Sequence, residues 1–286
     1  MTARILIIAG SDSGGGAGIQ ADIKTVTMLG GHAMTAITAI TAQNTLGVQG
    51  VHRVPTGTVI AQIDSVVSDI GVDAVKIGMI GSAETAHAVA DRLEQMAGVP
   101  IVLDPVMVAT SGSVLADDDT IAAFGRLMRV ATVTTPNLPE LAVLSATLPS
   151  VRPELVEGPF FLPSGAGEKN GASTSSARTE ERTLVNHIGT ALLVKGGHAD
   201  GEEIEDRLIH ADGSVQNWRA PRLHTTSSHG TGCTLSSAIA TGLGEGMTLA
   251  QAVERAIRFV RRALEEAPGL GHGHGPMGQQ FVTDFR

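Results

Sequence analysis

The chain has 286 residues, 42% of them hydrophobic and 17% charged, which is enough apolar material for one large α/β domain with a full core. A formal net charge of −9, without any basic, aromatic-interleaved stripe, argues against a nucleic-acid surface. No apolar run reaches membrane-spanning length, and a single cysteine excludes internal disulfides and thiolate clusters, so a cytoplasmic protein is expected.

The first predicted strand is Arg4–Ala9, stopped by glycines too soon to be a signal peptide. The turn Gly10-Ser11-Asp12-Ser13-Gly14-Gly15-Gly16-Ala17-Gly18 follows, then a helix expected over Ile19–Leu29. Strand, glycine turn and helix place a ligand at the carboxyl edge of a parallel sheet, although the spacing is neither a Walker A loop nor a dinucleotide fingerprint. Asp22, read in the first turn of the helix, would oppose a phosphate. The loop is therefore expected to grip a neutral polar ligand whose donors Asp22 accepts; a carboxylate merely favouring a helix N-terminus is the alternative.

Further strands are expected over Met34–Ile40, Ala74–Ile77, Ile101–Leu103, Val133–Thr135 and Ala191–Val194. They alternate with helices over Thr58–Ile70, Ala83–Met96, Thr120–Met128 and Leu138–Leu148, which predicts a mostly parallel sheet covered on both faces. Ser150–Glu181, rich in Gly, Pro, Ser, Thr and charge, breaks the rhythm. It is read as a flexible, solvated insertion in a single domain spanning 1–286, with a functional lid as the alternative.

Polar residues collect where these strands end: Asp104 after Ile101–Leu103, Asn137 and Glu140 after Val133–Thr135, Lys195 after Ala191–Val194. Two carboxylates, an amide and an ammonium on one edge can hold Mg²⁺ and a triphosphate, while helix capping explains Asn137 and Glu140 equally well. Ile204–His210 and Val215–Ala220 flank Ala211-Asp212-Gly213-Ser214, a hairpin with an Asp-Gly turn. Trp218 there reads as a packing residue.

His229-Gly230-Thr231-Gly232-Cys233-Thr234 then leads into the helix Leu235–Leu243. Glycines on both sides of Thr231 let backbone amides turn inward, and the helix dipole makes the turn an anion hole; a tight turn capping an ordinary helix is the plain alternative. Cys233 at the helix start is a candidate thiol whose pKa the helix terminus would lower and nearby phosphate charge would raise, so the direction stays open. A last helix is expected over Leu249–Glu266. His198 and His229 read as loop hydrogen-bonding groups, and His272 and His274 as part of a mobile terminus rather than a metal tract.

Several blocks carry a resemblance: Ala9-Gly10-Ser11-Asp12-Ser13, the stretch from Gly15 to Thr25, Thr41-Ala42-Gln43-Asn44-Thr45, Lys76-Ile77-Gly78-Met79-Ile80 and Asp104-Pro105-Val106-Met107. Thr135-Pro136-Asn137, Val194-Lys195-Gly196-Gly197-His198 and the stretch from His229 to Thr234 complete the set, in an order that spans everything except Ser150–Glu181. Together they resemble the bacterial hydroxymethylpyrimidine/phosphomethylpyrimidine kinases of thiamine biosynthesis, within the ribokinase-like superfamily. The resemblance implies a three-layer α/β sandwich with a mostly parallel central sheet and a small β lid, use of ATP and Mg²⁺, and a homodimer.

It also implies roles for residues. Gln43 would pair with the aminopyrimidine edge, Asp22 and Gly10 would contact that substrate, and Met79 and Val106 would wall the ring. Asp104 and Glu140 would serve Mg²⁺, and Asn137, Lys195 and Thr231 the ATP side. Gly230, Thr231 and Gly232 would stabilise charge on the transferring phosphoryl, with Cys233 as catalytic residue where the wider superfamily places an aspartate. A pyridoxal/pyridoxine kinase and a non-catalytic pyrimidine-sensing protein are the alternatives. Neither a nucleic acid nor a membrane is an expected partner.

Overall fold

Alternation along the first strand sets the layers. In β1 (Arg4–Asp12), Leu6 and Ile8 enter one apolar core while Ile5, Ile7 and Ala9 enter another on the opposite face. The computed structural model describes residues 2–109, 112–147, 174–199 and 201–285.

The remaining strands are β2 (His32–Asn44), β3 (Gly47–Arg53), β4 (Ala74–Ile77), β5 (Ile101–Leu103), β6 (Val133–Thr134), β7 (Ala191–Val194), β8 (Glu203–Ile209) and β9 (Val215–Pro221). They form one nine-stranded sheet in the order β3-β2-β1-β4-β5-β6-β7-β8-β9. Every pairing from β2 to β7 is parallel, and the antiparallel pairs lie at the two edges. The helices α2 (Thr56–Asp69), α3 (Ala83–Leu93), α4 (Asp118–Val130), α5 (Leu138–Thr147) and α6 (Thr174–Ile188) supply the first core. The opposite face is covered by α1 (Gly18–Met28), α7 (Thr231–Gly244) and α8 (Leu249–Glu265). This is the expected three-layer sandwich.

The order reverses at β1: the chain steps to β2 on one side, then returns to β4 on the other. Open sheets of this kind bind ligands outside the carboxyl ends at such a point. Gly10, buried near the end of β1, and Met79, two residues past β4, flank it. β2 runs past its expected end at Ile40 and pairs with β3 as a two-stranded ribbon, the small β element over that edge.

One strand is added and two expectations change. β3 carries no apolar alternation because almost all of it is exposed, so its sequence reads as loop. Of Ser150–Glu181, residues 150–173 lie outside the described residues, but Thr174–Glu181 belongs to α6 and is not loop. The helix was hidden because its buried apolar residues, Leu184, Val185 and Ile188, lie in its second half, while Ser, Thr and charge fill the first. Glu181 is buried there and paired with Arg207 of β8.

The histidine-bearing tail is also held in place. His274 N donates to Thr45 O at 2.9 Å, and Gly275 N donates to Thr226 O at 3.0 Å while Gly275 O accepts from His229 N at 3.1 Å. His272 N donates to Thr45 Oγ1 at 3.2 Å. The tail thus ties the ribbon turn to the segment that leads into α7.

Candidate active site

Gly10 sits where β1 shifts register between Ala9 and Ser11, so the strand bends as it reaches the sheet edge. Asp12 then gathers the glycine turn: its carboxylate accepts from the backbone N–H of Gly14 at 2.8 Å, Gly16 at 3.0 Å and Ala17 at 2.8 Å. Burial opposes the Asp12 charge, but His229 and these amides outweigh it and hold the carboxyl below its ordinary range. The second glycine turn lies against the first. Gly230 has φ of 85°, and a Cβ there would collide with the Gly16 carbonyl, so glycine is required on both counts.

Gly230 opens α7 without a side-chain cap, whereas Ser82, Asp117 and Thr248 cap α3, α4 and α8. The first turn of α7 lines a cleft of about 1630 Å³; Thr231 N donates to Ser228 O at 3.4 Å, and the amides of Gly232 and Cys233 beside it suit an anion at this helix start. Gly10, Gln43, Met79, Val106, Asp104, Asn137, Glu140, Lys195 and Gly230 to Cys233 all line this cleft, with Thr41 and Trp218. Trp218 also packs on the core beneath.

At one corner Lys195 Nζ lies 2.8 Å from Asp104 Oδ1 and 3.8 Å from Glu140 Oε2. Asn137 and Glu140 cap each other reciprocally, Asn137 N donating to Glu140 Oε2 at 2.8 Å and Glu140 N to Asn137 Oδ1 at 2.9 Å. Capping and cleft lining therefore coexist in these two residues. Burial pushes the Glu140 carboxyl up, with Lys195 relieving it in part; desolvation opposes the Lys195 charge, yet Asp104 and Glu140 raise its pKa. Gly232 closes the corner, since a Cβ there would stand 3.1 Å from Asp104 Oδ2 and 3.2 Å from Lys195 Nζ.

One reading is corrected and another, left open, is decided. Asp22 lies beyond the first turn of α1, is 0% exposed, and does not line the cleft. Its carboxylate accepts from Lys76 Nζ at 2.8 and 3.0 Å and from Ser237 Oγ at 2.7 Å, so it anchors the floor instead of meeting a ligand. The second concerns Cys233. Its direction, open from the sequence alone, is upward: burial pushes the thiol to about 11, against the pull of the Lys76 ammonium. Lys76 keeps its proton: burial opposes the charge, but Asp22 and its acidic neighbours overcome that cost.

Sequence reading did not single out Asp12 or Lys76. Lys76 left a signal, for a lysine inside the apolar run Ala74-Val75-Lys76-Ile77 must be buried with the strand and demands a carboxylate partner. Among the described residues no three His, Cys, Asp or Glu side chains converge as a metal cage. No described helix is long and apolar enough to cross a membrane.

A parallel sheet with two glycine turns meeting at its carboxyl edge, under a β ribbon and beside an acid–lysine corner, defines a ribokinase-like kinase. The chain belongs to the phosphomethylpyrimidine kinase family, whose model matches residues 12–157 and 166–278. It is 44% identical over 280 residues to the hydroxymethylpyrimidine/phosphomethylpyrimidine kinase of Rhizobium meliloti, covering 97% of each chain. It is 43% identical over 282 residues, 98% of its length, to the thiamine biosynthesis multifunctional protein ThiED of Corynebacterium efficiens, but spans only 35% of that longer relative. In structure it is similar to the pyridoxal kinase from Staphylococcus aureus in complex with AMP-PCP and pyridoxal, with a TM-score of 0.82, 27% identity, and 99% and 96% of the two chains covered.

Proposed function

We propose that this chain transfers the γ-phosphoryl group of ATP to the hydroxymethyl oxygen of 4-amino-5-hydroxymethyl-2-methylpyrimidine, and then phosphorylates the monophosphate in the same site. The observation that supports it most is the meeting, on one cleft, of the Gln43 carboxamide with the uncapped first turn of α7 and the Asp104–Lys195 corner. A primary amide offers a donor and an acceptor side by side, which matches the amino group and adjacent ring nitrogen of an aminopyrimidine. Met79 and Val106 supply apolar walls for the ring, and Gly10 lets it approach the bend of β1 closely.

The hydroxyl oxygen forms the new bond to phosphorus, the bond from that phosphorus to the β–γ bridging oxygen breaks, and the hydroxyl proton leaves late in the step. The amides of Gly230, Thr231 and Gly232 stabilise charge on the transferring group, and Lys195 adds a fixed positive charge on the ATP side. Cys233, beside these amides, is the group placed to take the proton once ionised. Asp104 and Glu140, with Asn137 nearby, form the sparse oxygen set that suits Mg²⁺, an ion that keeps several waters and shares phosphate oxygens. When bound it would supply neutralisation of phosphate charge.

The structural similarity to a pyridoxal kinase supports a second reading, phosphorylation of a pyridine alcohol. ADP release measured with the aminopyrimidine alcohol, its monophosphate, pyridoxine and no ring separates the two. The proposal expects turnover with both pyrimidines above the ring-free rate; turnover on pyridoxine alone overturns it, and none with any ring favours a sensing protein. The resemblance also implies a homodimer in the cytoplasm. Ile40, Leu46 and Val51, exposed on the ribbon, offer the apolar surface a second copy would cover.

A further inference from the structure

We infer that His229, held by Asp12, fixes which way round the Gln43 carboxamide presents its donor and acceptor, and so acts as a positioning residue for ring recognition. The inference rests on the reading of Gln43 as the ring-recognising group. His229 is buried, with Nε2 3.0 Å from Asp12 Oδ2 and 3.1 Å from the Gln43 side-chain amide. An ionised carboxylate only accepts, and Asp12 already accepts three backbone N–H groups, so the nitrogen facing it carries a hydrogen. A nitrogen bearing a hydrogen cannot accept from an amide NH₂. With Gln43 Nε2 toward His229, two donors therefore confront each other.

The opposite end of the same amide accommodates either sense, leaving His229 to decide. Thr41 Oγ1 lies 3.0 Å from Ser11 O and 3.1 Å from Gln43 Oε1 and can donate to either. A hydroxyl has one hydrogen, so with that hydrogen on Ser11 it can only accept from Gln43. A half-turn of the carboxamide removes the clash at His229: the one Nε2 hydrogen of His229 is then shared between Asp12 Oδ2 and Gln43 Oε1, and Gln43 Nε2 donates to Thr41 while Thr41 donates to Ser11 O.

The backbone cannot absorb the choice instead. Gln43 N donates to Ser13 Oγ at 2.8 Å and Ser13 Oγ donates to Gln43 O at 2.8 Å, which pins the residue to the first glycine turn. The remaining amide hydrogen and the second lone pair of Oε1 are then offered in a fixed sense. A ring with an amino group beside an acceptor nitrogen fits one sense; its oxo analogue, with an acceptor carbonyl beside a ring N–H, needs the reverse.

Two measurements test this. Nitrogen-15 NMR of the wild-type protein without substrate should show a hydrogen on His229 Nε2, assigned by its loss in His229→Gln; an Nε2 without hydrogen overturns the inference whatever the substrate is. Calorimetric titration should then compare the aminopyrimidine alcohol with its 4-oxo analogue. The ratio of their affinities should fall by about tenfold in His229→Leu and be kept in His229→Gln, whose side-chain amide retains a donor. An unchanged ratio in His229→Leu overturns the positioning role. Failure of the wild type to bind either ring overturns the substrate reading instead, leaving the NMR result to decide the His229–Gln43 pairing.

Discussion

At Cys233 burial, reinforced by the Asp22 and Asp104 carboxylates, outweighs the Lys76 ammonium: the thiol is pushed up to about 11. At neutral pH it carries its proton, so a role as base requires the thiolate that grows as pH rises toward 11. kcat should therefore climb with pH above 7. Cys233→Ala should lower kcat by roughly 10²–10⁴ with KM little changed, and flatten that profile. An unchanged rate and profile would leave packing as the role of the thiol. Beneath it, Asp22→Asn removes the countercharge of Lys76, which is 0% exposed. Stranding a buried ammonium should cost about 3–5 kcal/mol in urea unfolding, and the double change with Lys76→Met should recover part of that loss. The corner residues Asp104, Glu140 and Lys195 were legible because each follows a short apolar strand. Asp22 was misread because its place along a helix says nothing about which neighbour it faces: the lysine that claims it lies 54 residues away in β4.

At the scale of elements, legibility followed burial. β4, β5 and β7 coincide with their apolar runs, since every residue in them is buried. β3 and the first half of α6 escaped because neither puts an apolar stripe into a core. That difference sets a deletion boundary. Replacing residues 150–172 by a short Gly-Ser linker, with α6 kept, should move stability by at most about 1 kcal/mol and leave turnover intact, because closure entropy depends weakly on loop length. Extending the deletion through Glu181 should lower the melting temperature clearly more, since it removes half of α6 and the buried partner of Arg207. Equal melting curves for the two deletions would deny α6 a structural role.

At the scale of the molecule, the ribbon leaves an open edge strand carrying exposed apolar side chains, an arrangement that a second copy would cover. Light scattering on the purified chain should give the mass of a dimer, and Ile40→Glu with Val51→Glu should reduce it to that of one copy; a monomeric wild type would contradict this. The meeting of the two glycine turns has a different consequence. Asp12 and His229 are 217 residues apart, Asp12 closing β1, an interior strand of the sheet, and His229 in the segment before α7. Contacts of such long sequence separation close late, after the local helices and strand pairs have paid most of the chain entropy. Partly folded chains with much of their secondary structure would thus still lack the anion turn's partner, so recovery of ligand binding during refolding should trail recovery of helical signal, and bound ligand should act as a latch on the last closure alone.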